Sequence, residues 1–72
     1  LPTLHERLQE LKISRHLLQK DIAQAAGLSL RAYQYYERGE RQPNADTLIA
    51  LADFYNVSLD YLVGRSDVAE RR

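Results

Sequence analysis

The sequence predicts an all-α domain of five short helices. Three observations carry that prediction. Apolar residues return every three or four positions in successive windows, the period of a helix that buries one stripe. A capping residue precedes four of these windows, namely Thr3, Ser29, Asn44 and Ser58. Gly27, Gly39 and Gly64 stand where the periodicity stops. At 72 residues the chain can build one small core. A domain of this size buries only about 60% of its unfolded surface, which leaves little for an enclosed active-site cavity.

Thr3-Leu4-His5-Glu6 fits a capping box, with Glu6 reaching back from three residues on. Leu4, Leu8 and Leu11 then recur at i, i+4 and i+7 and predict a first helix running to about residues 13–15. Arg7, Gln9, Glu10 and Lys12 fall on its polar side. His16 takes the corner, since His tolerates the left-handed region better than most residues. Leu17 turns inward.

Gln19 to Ala26 reads as the second helix, with Ile22, Ala23 and Ala26 on its core side. Leu18 holds its N-cap position and cannot accept a bond from an orphan amide, a loss of roughly 1 kcal/mol. Gly27 opens a left-handed turn, Leu28 plugs the corner and Ser29 caps the third helix. That helix turns Ala32, Tyr33 and Tyr36 inward and shows Leu30, Arg31, Gln34, Tyr35 and Arg38 outward. Neither helix is long enough to be stable alone, so both need bracing by the rest of the chain.

Glu40-Arg41-Gln42-Pro43 is a polar loop. Asn44 caps a fourth helix over residues 45–55, expected to be the most strongly amphipathic, with Leu48, Leu51, Ala52 and Tyr55 on its core stripe. Asn56 ends it, Val57 returns to the core, and Ser58 caps a last helix from Leu59 to Val63. Residues 1–64 therefore read as the domain. Residues 65–72, polar and without periodicity, read as a tail or the start of a linker toward a further domain.

Composition bounds the function. There is no cysteine, so disulfides and thiolate metal sites are excluded, and a domain stable without cross-links fits a reducing cytoplasm. His5 and His16 have no partner at ligand spacing, which argues against a metal. No cofactor is implied. No Ser, Cys or Thr is set beside a base in a pattern that would activate it, so no enzyme is expected. No apolar run approaches the roughly 18–20 residues of a membrane span. Position 1 is Leu rather than Met, so the chain is expected to lack its natural start or to belong to a longer protein. The formal net charge is zero, but its distribution is uneven. Residues 1–42 hold seven Lys/Arg against five Asp/Glu, and residues 43–72 hold three against five. The positive part contains the third helix and would orient toward phosphate.

The stretch QKDIAQAAGLSLRAYQYYERG, residues 19–39, resembles the helix-turn-helix of the lambda-repressor-like, or XRE-type, regulators. Ala23 supplies the small residue four before the turn glycine, and Ile22, Ala26, Leu28, Tyr33 and Tyr36 fill the apolar positions. The likeness continues through ERG…P, TLIALA and VSLDYL, over about residues 4–64. It departs at Leu18, where Thr or Ser is usual, and at Leu30, often polar.

The resemblance implies sequence-specific binding of double-stranded DNA for transcription control, as a homodimer on a palindromic operator. It gives a candidate DNA-binding set of Gln19, Ser29, Leu30, Arg31, Gln34, Tyr35, Arg38, Arg41 and Asn44. Among them Arg31 is the leading base reader, because its fork of donors matches guanine O6 and N7. Arg38 and Arg41 suit phosphate. The resemblance also pairs Glu37 with Lys12, and dimerisation is expected near Tyr55 to Tyr61. The rival reading keeps the fold but uses its neutral surface for a protein partner, as an antitoxin does. Leu18, Leu30 and the zero net charge favour that rival slightly.

Overall fold

The computed structural model describes residues 2–70. Its regular elements are five α-helices: α1 (Leu4–Ser14), α2 (Gln19–Ala25), α3 (Leu30–Arg38), α4 (Ala45–Tyr55) and α5 (Leu59–Leu62). Each begins and ends for a local reason. The Glu6 carboxylate accepts from the Thr3 backbone N–H at 3.0 Å and from its hydroxyl at 2.8 Å, tying down the start of α1. Those two bonds, the backbone one first, hold the Glu6 carboxyl below its ordinary range. Ser29, Asn44 and Ser58 each accept from the backbone N–H three residues on. Leu18 caps α2 without a side-chain bond. His16 and Asn56 take left-handed conformations at the two corners that close α1 and α4.

The five helices share one core. Leu8 and Leu11 of α1, Ile22 and Ala23 of α2, Tyr33 of α3, and Leu51, Ala52 and Tyr55 of α4 meet at its centre, with Val57 and Leu62 completing it. Two phenols in so small a core are costly to ionise. Burial raises Tyr33, with Tyr55 and the Glu37 carboxylate adding to it. Burial also pushes Tyr55 up to about 12.

Three features differ from the sequence expectation. Arg7, placed on the polar side of α1, is only 5% exposed. Its guanidinium carbon lies 3.8 Å from the Tyr61 ring centre. Its nitrogens donate to the Tyr61 and Ser66 carbonyls at 3.2 and 3.3 Å and to Asp67 Oδ1 at 3.0 Å. The second difference follows from the first. Residues 66–69, expected within a tail, return to the domain: Ser58 N–H donates to the Ala69 carbonyl at 2.8 Å, and Ser58 Oγ to the Val68 carbonyl at 3.1 Å. Third, α3 rather than α4 is the most sharply two-sided helix. The outer face of α4 carries Ile49, 48% exposed, where a strictly amphipathic helix would carry a polar residue.

Gly64 is where the chain crosses itself. Its φ is +83°, and a Cβ there would overlap the Pro2 carbonyl oxygen. Gly27, at φ +72°, has open space around it and is required by its backbone angle alone.

Candidate nucleic-acid interface

The turn between α2 and α3 is built from Gly27, Leu28 and Ser29. Leu28 N–H donates to the Ala23 carbonyl at 2.8 Å, closing the end of α2, and the half-buried Leu28 side chain packs against the core. Ser29 then starts α3 by accepting from Ala32 N–H at 3.1 Å. With Tyr33 fully buried, helical geometry fixes the opposite side of α3. Arg31, Gln34, Tyr35 and Arg38, spaced at i, i+3, i+4 and i+7, share that outer side.

A hydrogen-bonded network braces α3 from behind. Glu37 is 6% exposed. Its Oε1 accepts from Lys12 Nζ at 2.6 Å and from Gln19 Nε2 at 3.3 Å. Gln9 Nε2 donates to the Glu37 carbonyl at 2.9 Å, so α1 grips the end of α3 twice. Gln34 Nε2 in turn donates to Gln19 Oε1 at 3.1 Å. Gln19 and Gln34 are thereby fixed relative to each other across the α2–α3 corner. Each keeps one amide proton free, and Gln34 also keeps its carbonyl oxygen.

The outer side has its own arrangement. Arg31 Nε donates to the Tyr35 hydroxyl at 3.2 Å. Arg41, from the loop after α3, lays its guanidinium carbon 4.3 Å from the Tyr35 ring centre. Ser29, Arg31, Ala32, Tyr35 and Arg41 line an open recess of about 330 Å³. Arg38 sits at the far end of α3, exposed, with a loose 3.8 Å pair to Glu40. Leu30 and Leu18 are exposed as well. Asn44 is spent on capping α4, its Oδ1 accepting from Thr47 N–H at 2.9 Å, and keeps only its amide protons.

The structure thus joins Gln19 to Gln34 and, separately, Arg31 and Arg41 to Tyr35, and leaves Arg38 and Leu30 outside both groups. The i, i+4 spacing of Arg31 and Tyr35 was a visible signal for their contact. The Arg41 contact depends on the path of the loop and has no such signal.

A family model described as helix-turn-helix matches residues 8–62. The chain belongs to this helix-turn-helix family. The helix-turn-helix itself is α2, the Gly27–Ser29 turn and α3. Relatives include the HTH-type transcriptional regulator ImmR of Bacillus subtilis, 36% identical over 96% of this chain and 54% of its own length. Another is the cryptic phage CTXphi transcriptional repressor RstR of Vibrio cholerae, 33% identical over 85% of this chain and 55% of its own. The chain spans about half the length of these curated relatives. The crystal structure of the P22 c2 repressor protein in complex with a synthetic operator superposes with a TM-score of 0.84 at 27% identity, over 92% of this chain and 100% of that one. A transcriptional regulator from Listeria innocua gives 0.81 at 35% identity, over 86% and 58%.

Among the described residues, no helix is long and apolar enough to cross a membrane.

Proposed function

We propose that this helix-turn-helix domain binds double-stranded DNA in a sequence-specific way and regulates transcription. The observation that carries the reading is the outer side of α3. It presents Arg31, Gln34 and Tyr35 on a helix whose buried side is held by Lys12 and Gln19 through Glu37. A short helix so braced can enter a major groove without losing its shape. The names of the relatives and the operator complex of the P22 c2 repressor support the same reading.

In this reading Arg31 reads a base edge, with Gln34 and Leu30 beside it. Arg38 and Arg41 meet phosphates. Gln19, Ser29 and Asn44 donate to the backbone with the protons their structural bonds leave free. The active form is a homodimer on a palindromic operator. Tyr55 is fully buried and Tyr61 is covered by Arg7, so around the C-terminal helices the contact with a second copy falls to exposed apolar residues such as Ile49 and Leu59, 48% and 42% exposed. A two-fold pair would place two copies of α3 about 34 Å apart, one turn of DNA. A cytoplasmic setting follows from this role.

A salt titration tests it. Phosphate contacts release counterions, so affinity for duplex DNA must fall steeply as salt rises, by about 0.9 log unit per log unit of salt for each contact. Binding that is insensitive to salt would instead favour a protein-interaction module.

A further inference from the structure

Tyr35 touches two cations through two different parts of its side chain. Its hydroxyl oxygen accepts from Arg31 Nε at 3.2 Å, while the Arg31 guanidinium carbon stays 5.8 Å from the ring centre, at the hydroxyl end of the ring. The Arg41 guanidinium lies over the ring itself, at 4.3 Å. Among the described residues neither arginine has a carboxylate within ion-pair distance. An exposed arginine otherwise samples many rotamers, and ordering it costs entropy when a ligand arrives.

The Nε bond has a directional consequence. A guanidinium is planar with a fixed fork of donors. With Nε committed to Tyr35, the Nη1–Nη2 end remains as the reading edge. Two parallel donors match two adjacent acceptors, and in the major groove only guanine offers that pair, as O6 and N7. The Tyr35 oxygen, acting as acceptor, keeps its own proton to donate.

We propose that Tyr35 is a positioning residue, whose hydroxyl aims the two terminal nitrogens of Arg31 at a guanine and whose ring holds Arg41 in place beside the adjoining phosphate. The inference rests on the DNA reading proposed above and adds the residue that sets the geometry of that reading.

Tyr35→Phe keeps the ring and removes only the acceptor. Tyr35→Leu removes both. The measurement is competitive binding to the duplex enriched from a random pool and to versions altered at each base pair, for wild type, Arg31→Ala, Tyr35→Phe, Tyr35→Leu and the Arg31→Ala/Tyr35→Phe double variant. Tyr35→Phe should cut the preference for guanine at one position per half-site about three- to tenfold, a larger loss than any it causes on unrelated DNA, with the salt slope unchanged because no charge is removed. In the Arg31→Ala background it should change the base preference no further. Tyr35→Leu should in addition weaken binding to every sequence, through Arg41. In the free protein, the Arg31 Nε–H should exchange faster with solvent in Tyr35→Phe than in wild type by NMR.

A guanine preference untouched by Tyr35→Phe, or lost again by the same factor without Arg31, would overturn the proposal while leaving the DNA reading intact. Equal behaviour of Tyr35→Phe and Tyr35→Leu would overturn the Arg41 half. A wild-type domain with no base preference at any position would overturn the DNA reading, and this proposal with it.

Discussion

Lys12 Nζ lies 2.6 Å from Glu37 Oε1 and joins α1 to the end of α3. The Glu37 side chain is 8% exposed and that of Lys12 23%, so the pair is largely withdrawn from water. Removing the lysine leaves a buried carboxylate with only the Gln19 amide on that oxygen. Lys12→Ala should therefore cost more than an exposed pair, about 1–3 kcal/mol. Thermal unfolding should show it as a drop of at least several degrees, at about 4–8 °C per kcal/mol for a domain this small. An unchanged melting temperature would mean that the pair contributes nothing to stability.

Arg7 fastens the end of the domain. Its one side chain satisfies two carbonyls and a carboxylate while covering Tyr61. Arg7→Lys cannot reproduce a planar group that stacks and forks at once. The lysine variant should lose about 1–2 kcal/mol, and amides near Ala69 and Ser58 should lose hydrogen-exchange protection. Protection there equal to wild type would show that residues 66–69 dock without Arg7.

Much of the fold was legible in the sequence because its determinants are local. Helix ends followed from Thr3, Ser29, Asn44, Ser58 and the turn residues, and core positions from spacing. Arg7 was not legible. Its partners lie 54–60 residues away, and two of them are backbone carbonyls that no side-chain pattern announces. Residues 66–69 lack periodicity because they are not helical and attach largely through backbone atoms. Within the candidate interface, the outward set of α3 was readable from helical spacing, and the Lys12–Glu37 pair from the family resemblance. The Gln19–Gln34 and Tyr35–Arg41 contacts required knowing how α2 and the loop after Gly39 approach α3.

The buried phenols make stability depend on alkaline pH. An exposed phenol in the unfolded chain titrates near 10, whereas Tyr55 is pushed up to about 12 and Tyr33 is raised as well. Below the unfolded value both states hold the protons and the contribution is complete. As pH rises from 10 toward about 12 the unfolded chain loses protons that the folded chain keeps, so stability falls. Urea midpoints measured across this window should decline for wild type and decline less for Tyr55→Phe. Parallel declines would show that Tyr55 is not responsible.

Along α3 the arginines divide by position. Arg31 is in the first turn and Arg38 in the last. Arg31→Ala should relax preference at one base position per half-site by roughly 1–3 kcal/mol. Arg38→Ala should weaken all sequences about equally and lower the salt slope by about one counterion. Gln19→Ala should also act without sequence bias and leave the slope nearly unchanged, since Gln is neutral. Titrations against matched and altered sites at several salt concentrations separate the three. Uniform loss in Arg31→Ala would reassign it to phosphate, leaving specificity to Leu30, Gln34 and Tyr35 or to DNA shape.

The central claim is that the outer side of α3 reads DNA as half of a two-fold pair. Selection of bound duplexes from a random pool at moderate salt tests it most directly. The expected result is enrichment of a palindromic motif whose half-sites are centred about one helical turn apart, each containing a guanine whose preference disappears with Arg31→Ala. A pool that shows no enrichment at any salt concentration would contradict it.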